Sequence, residues 1–371
     1  MTGRTPPGGP DGLNEPGAPN RPGGPGTPNE PSGRGPGSPN EPSGPGASNR
    51  LDGTNAPNGL GEPRTSVRPG GAGGRGGGRR VVVLVNPAGG QRGAHRAAET
   101  VLAHLAAAGW DAEPVAGADT AGTLALARDR IAAGVDVLAV VGGDGMVHLG
   151  LQAVAGTRVP LAVVPAGTGN DFARALGIPR GDPAAAARLV THGTSRAVDL
   201  ARVGERWIGT VVACGFDALV TDRANRLRWP RGGSRYTLAV LVELTRLRPL
   251  PFRIRLDGGE VPEVELDATL VAVGNTAYYG GGMRVCPDAD PYDGELAVTV
   301  VEGAGALRLP TILPRLYNGS HLSHPRVRTY RARRIELASA GVFAYADGEF
   351  VGDLPIVVEA VPQAVEVLLP G

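Results

Sequence analysis

Gly142-Gly143-Asp144-Gly145 sets three glycines around a single carboxylate. Without Cβ atoms such a segment lets backbone amides approach phosphate oxygens closely, while the carboxylate can hold a metal ion or a hydroxyl. Taken alone, the tetrapeptide suits a tight strand-to-helix turn slightly better. Two further segments change that balance: Asn86-Pro87-Ala88-Gly89-Gly90 and Pro165-Ala166-Gly167-Thr168-Gly169-Asn170-Asp171. Three Gly/Asn loops opening on one edge of a sheet make a phosphate cradle the better reading. The common alternatives fail. There is no Lys in the chain, so neither a Walker-type phosphate loop nor a Lys Schiff base can form. The spacing Gly71, Gly73, Gly76 matches G-x-G-x-x-G, but it precedes a strand and lies in a Gly-rich tract, so it is compositional.

Acidic turns supply the second kind of chemistry. Asp347-Gly348-Glu349 reads equally well as a hairpin turn or as a general base, since an alcohol becomes a good nucleophile when a carboxylate takes its proton. Asp288, Asp290, Asp293 and Glu295 crowd one loop, an oxygen-rich set suited to a hard cation or else a solvated turn. His321 and His324 lack a third partner in the sequence and are not assigned to metal. Arginines at 223, 226, 228, 231 and 235 surround Trp229, which fits a solvated helix face better than an anionic membrane surface. Cys214 and Cys286 lack metal-ligand spacing and point to a reducing compartment.

The elements that position these groups follow from hydropathy. Order begins at residue 81 with Val-Val-Val-Leu-Val, a run suited to a strand buried on both faces. Strands over 81–85, 111–115, 135–141 and 161–164 alternate with helices over about 95–108, 120–133 and 145–154, the pattern of a doubly wound α/β sheet. Such sheets bind ligands at the carboxyl ends of their strands. Beyond residue 196 the pattern changes to strands, expected at 197–203, 207–213, 252–257, 261–266, 268–273, 296–301, 334–338, 342–346 and 356–360, and reads as a sandwich or a barrel. Gly and Pro dominate residues 1–79, which cannot bury enough apolar surface to offset ordering and are expected to form a disordered arm. The expected division is therefore arm 1–79, α/β domain 80–195 and β-rich domain 196–371, with chemistry between the last two. A net charge of +1 argues against nucleic acid as partner. No signal peptide or membrane-length apolar run is apparent, so a cytoplasmic protein is expected, in contact at most with the inner membrane face.

Together these residues resemble the diacylglycerol-kinase catalytic family, which includes bacterial lipid kinases and the sphingosine and ceramide kinases. The likeness runs from Val81 to the C-terminus on Asn86–Gly89, Gly142–Gly145, Pro165–Arg174, Pro287–Gly294, Gly319–Pro325 and Asp347–Glu349. The resemblance implies a nucleotide-binding α/β domain followed by a β-sandwich, and transfer of the γ-phosphoryl group of MgATP to a lipid hydroxyl, most naturally diacylglycerol. It places Asn86, Pro87, Ala88, Gly89, Gly90, Thr120, Gly142, Gly143, Asp144, Gly145, Met146 and Thr168 along ATP, with Asp144 on the Mg²⁺–phosphate side. It makes Glu349, with Asp347, the proton acceptor, and sets Asp290, Asp293 and Glu295 where bacterial members bind a structural Mg²⁺, partly through backbone carbonyls. Met146 stands where the family usually has Thr, and Leu149 where Glu is common. The competing expectations are a kinase of a soluble alcohol, similar to NAD kinases, and a lipid-binding module without catalysis. A homodimer is left open.

Overall fold

The computed structural model describes residues 78–85, 92–227, 229, 233–257, 263–305 and 308–371. Apart from Gly78 and Arg79, the expected N-terminal arm lies outside the described residues, as does the loop from Asn86 to Gly90.

The first half alternates strictly: β1 (Arg80–Val85), α1 (Arg92–Ala107), β2 (Asp111–Val115), α2 (Thr120–Ala132), β3 (Val137–Gly142), α3 (Asp144–Val154), β4 (Leu161–Pro165), α4 (Asp171–Ala175) and α5 (Pro183–His192). The strands are parallel in the order β2-β1-β3-β4. Their apolar runs are continuous because both faces are covered. Val82, Leu84, Leu138, Val140 and Val163 pack into one core with Ala127 of α2 and Val147, Leu151 and Val154 of α3. The alternate residues Val81, Val83, Ala139, Val141 and Val164 meet Ala97, Val101 and Leu105 of α1 and Val190 of α5 on the opposite face. Helix α5 is absent from the sequence-based expectation, although Asp182 caps it by accepting the Ala185 N–H and Pro183 opens its first turn.

The second half is built from β5 (Thr194–Val203), β6 (Arg206–Ile208), β7 (Val211–Gly215), α6 (Phe216–Arg226), α7 (Gly233–Thr245), β8 (Leu250–Leu256), β9 (Val264–Gly274), β10 (Leu296–Glu302), β11 (Val327–Ala332), β12 (Arg334–Ala338), β13 (Phe343–Ala346), β14 (Glu349–Asp353) and β15 (Ile356–Leu369). It is a β-sandwich whose interior is filled by Phe252, Ile254, Val271, Val273, Val298, Ile335, Leu337 and Val358. The strand expected at 207–213 is two strands, interrupted at Gly209-Thr210. A Cβ on Gly209 would come within 2.7 Å of Leu151 and 2.8 Å of Phe172, so the chain passes α3 and α4 there too closely for any side chain.

One strand stitches the halves together. The early part of β15 pairs antiparallel with β12. After an irregularity at Pro362-Gln363, residues Val365–Leu369 pair with β5, and Val367 lies beside Leu161 of β4. Val365, Val367 and Leu369 are thereby part of the first half's core.

Candidate active site

The two loops at the carboxyl ends of β3 and β4 are pressed backbone to backbone. A Cβ on Gly167 would lie 2.3 Å from the Gly143 Cα, and one on Gly169 would lie 2.4 Å from the Asp144 Oδ2, so neither position tolerates a side chain. Asp144 opens α3 and reaches across to the second loop, where Oδ2 accepts the Asn170 N–H at 2.9 Å and Oδ1 the Asp171 N–H at 2.7 Å. Asn170 takes the left-handed conformation with φ 53° and closes its own loop by donating to Gly167 O at 2.8 Å. Burial, with Asp171 nearby, pushes the Asp144 carboxyl above the usual range, against the pull of those two amides. Asp171 is itself buried; its Oδ2 accepts the Gly281 N–H at 2.7 Å, and its Oδ1 lies 3.6 Å from the Arg174 Nε. The Arg174 guanidinium lies over the Tyr278 ring, 5.8 Å from its centre. In a chain without Lys, it is a fixed cation beside these loops.

Asp347-Gly348 forms the two-residue turn between β13 and β14, with φ 51° and 86° and Ala346 paired to Glu349. That is the geometry Asp-Gly favours in hairpins. The Asp347 side chain is 5% exposed and holds four donors: Gly209 N–H at 3.2 Å, Thr210 N–H at 3.1 Å, the Thr210 hydroxyl, and His148 Nδ1 at 3.1 Å. Burial acts to raise its pKa, but the His148 bond and charge and the Thr210 and Gly209 donors outweigh it, and the carboxyl sits below the usual range. Its acceptor capacity is spent on these bonds. Glu349 follows at the start of β14 with its side chain exposed.

The other residues singled out in the sequence divide into two groups. Thr120 and Thr168 are exposed, Thr120 at the first turn of α2 and Thr168 in the loop after β4. Met146 is 8% exposed and packs over Gly142, and its amide donates to Gly143 O at 3.0 Å; Leu149 is 4% exposed in the same core. The two positions that depart from the family pattern are thus both buried in the first half's core. The polar face of α3 carries Asp144, His148 and Gln152 instead. His148 was not singled out from the sequence, yet its i, i+4 spacing from Asp144 was the available signal.

The side chains of the acidic loop are paired within the protein. Asp293 and Glu295 are both paired with Arg331, whose guanidinium also donates to Asp288 O at 2.8 Å. Asp290 is turned to the Tyr292 N–H at 3.2 Å. Among the described residues no three His, Cys, Asp or Glu side chains converge on a point a metal could occupy. Asp293 and Glu295 are thus held by an arginine from β11, and Asp290 by its own loop. His321 is buried, and its Nε2 donates to Val285 O at 3.0 Å within the second half's packing.

Residues 80–203 match the diacylglycerol kinase catalytic domain, and residues 210–369 the YegS C-terminal NAD kinase beta sandwich-like domain. A protein of Mycobacterium tuberculosis named diacylglycerol kinase is 44% identical over 296 residues, covering 78% of this chain and 95% of its own. One of that name from Bacillus subtilis is 27% identical over 281 residues, covering 75% and 92%. In fold, the chain is similar to the crystal structure of a diacylglycerol kinase from Bacillus anthracis str. Sterne, with a TM-score of 0.59, 23% identity and coverage of 78% and 97%. With paired glycine loops, an anchored Asp144 and an acidic hairpin in one molecule, the chain belongs to the diacylglycerol kinase family and is a kinase acting with a nucleotide substrate.

Proposed function

We propose that the chain transfers the γ-phosphoryl group of MgATP to the hydroxyl of a membrane lipid, diacylglycerol being the acceptor that its relatives' names suggest, with Glu349 as proton acceptor. The observation that carries this reading is the contrast within one turn: Asp347 is buried with four donors, while Glu349, two residues on, is exposed. A carboxylate that must take a proton needs a free lone pair, and Glu349 is the one that offers it. The loops at Gly142–Asp144 and Gly167–Asp171 supply the close backbone approach a triphosphate needs, and Arg174 a positive charge beside it. Mg²⁺ enters as part of the nucleotide substrate. The acceptor comes from a membrane surface: Trp229 is 79% exposed and Leu241 of α7 59%, near exposed Arg226, Arg246 and Arg248. No helix among the described residues is long and apolar enough to cross a membrane, which suits peripheral contact. On this reading residues 80–195 bind nucleotide and 196–371 present the lipid.

The test is phosphoryl transfer from labelled ATP by the full chain, offered lipids in mixed micelles and, separately, NAD. Labelled phosphatidic acid, lost in Glu349→Gln, is the expected result. Label on NAD in detergent-free buffer, or full turnover by the Gln variant, sinks the acceptor or the base respectively.

A further inference from the structure

Helix α3 carries a polar stripe at i, i+4 and i+8, and each member is fastened to a different segment. Asp144 holds the amides of Asn170 and Asp171. His148 bonds to Asp347 in the β13–β14 turn. Gln152 makes a reciprocal pair with the backbone of Trp207 in β6, donating to its carbonyl at 2.6 Å and accepting its N–H at 3.1 Å. The opposite face, with Val147, Leu151 and Val154, is locked into the first half's core. The helix that begins at the phosphate loop is therefore a strut whose far side grips the second half. His148 is its grip on the turn that bears Glu349.

We propose that His148 is a positioning residue of the phosphoryl transfer, holding the Asp347 carboxylate, and with it Glu349, in register with the nucleotide loops. The inference rests on the reading of Glu349 as proton acceptor. The bonds from Gly209 and Thr210 tie Asp347 to a segment that packs on α3, and the His148 bond ties the carboxylate directly to a side chain of that helix. Around the imidazole stand Asp347 and Glu349 from the turn and β14, Arg206 from β6, and Asp144 one turn back on its own helix. Burial acts against its charge, but the Asp347 bond and the charges of Asp347 and Glu349 overcome this and raise its pKa. The charged bond is therefore present between the lowered Asp347 value and the raised His148 value, and is lost as pH rises through the latter.

The experiment compares wild type, His148→Leu and His148→Asn in the full chain, measuring kcat, KM for ATP and the pH dependence of kcat with the best lipid acceptor. Asn can place its Nδ2 where the imidazole Nδ1 lies. In the leucine variant kcat should fall roughly tenfold to a hundredfold, the scale of a misplaced catalytic group, with KM for ATP within about threefold of wild type. The asparagine variant should recover most of that loss and should lack the wild type's decline at high pH. A leucine variant with wild-type kcat, or an asparagine variant as slow as leucine, overturns the proposal while leaving the lipid-kinase reading intact. If leucine prevents folding, the asparagine variant decides: a high-pH decline equal to wild type overturns the proposal. Absence of turnover by wild type on every acceptor overturns both.

Discussion

Replacing Asp347 by Asn removes one charge and one acceptor while keeping the shape, and its cost follows from the bonds around it. One carboxylate oxygen serves Thr210 through its amide and hydroxyl; the other serves the Gly209 amide and His148. An asparagine carbonyl can replace one oxygen only. If its amide nitrogen faces the Gly209 side, His148 can become neutral and accept from it, but the Gly209 N–H is then left facing a donor at a buried site. One unsatisfied buried donor costs about 1–3 kcal/mol, so a loss near 2 kcal/mol is expected, roughly a thirtyfold shift in the folding equilibrium. Asp347→Ala strands all four donors and should cost about 3–5 kcal/mol, the range for breaking a buried charged pair. Urea denaturation followed by circular dichroism measures both, with an unchanged slope showing that the unfolded state is unaltered. If the Asn variant lies within about 0.5 kcal/mol of wild type, the carboxylate is not the hub described, and the argument that leaves Glu349 as the only free acceptor in the turn falls with it.

Three further outcomes are expected. Burial pushes the Asp217 carboxyl up to about 6, with the Tyr279 hydroxyl bond working against the rise. Its native pKa lies above the unfolded value, so it favours folding fully below about pH 4, and that contribution fades as pH rises through 6. The amplitude is about 3 kcal/mol, and Asp217→Asn, followed by denaturation from pH 4 to 8, should flatten the profile by that order. Arg331→Ala should loosen the 288–295 loop and lower stability by about 1 kcal/mol or less, because its ion pairs are partly exposed. In nucleotide-free wild type, Mg²⁺ should leave the melting temperature unchanged; a rise of several degrees would mean that the loop holds a cation after all.

Much of the first half was legible because strands buried on both faces must be apolar throughout, as 81–85 and 161–164 are. The expected strand at 111–115 coincides with β2. Helix α5 was missed although Asp182 caps it and Ala186, Ala187, Leu189 and Val190 fall on one buried face. The merged expectation at 207–213 failed for a different reason. Gly209 interrupts the strand for the sake of α3 and α4, which lie far away in sequence. At the site, glycine loops and acids could be recognised by type, and the turn reading and the functional reading of Asp347-Gly348-Glu349 describe the same geometry. What could not be read was which carboxylates are already paired. Arg331 is some forty residues from the acids it neutralises, and His148 some two hundred from Asp347.

The strand β15 follows β4 by some two hundred residues, yet Val367 lies next to Leu161 in the sheet that carries the phosphate loops. A nascent chain that has emerged as far as β4, or even β14, exposes an unfilled slot along β4 and β5 and an unpaired row of backbone groups. The first half's core, which includes Val365, Val367 and Leu369, is therefore complete only once β15 has docked. Until that strand docks, the open edge is a template for strand addition from other chains.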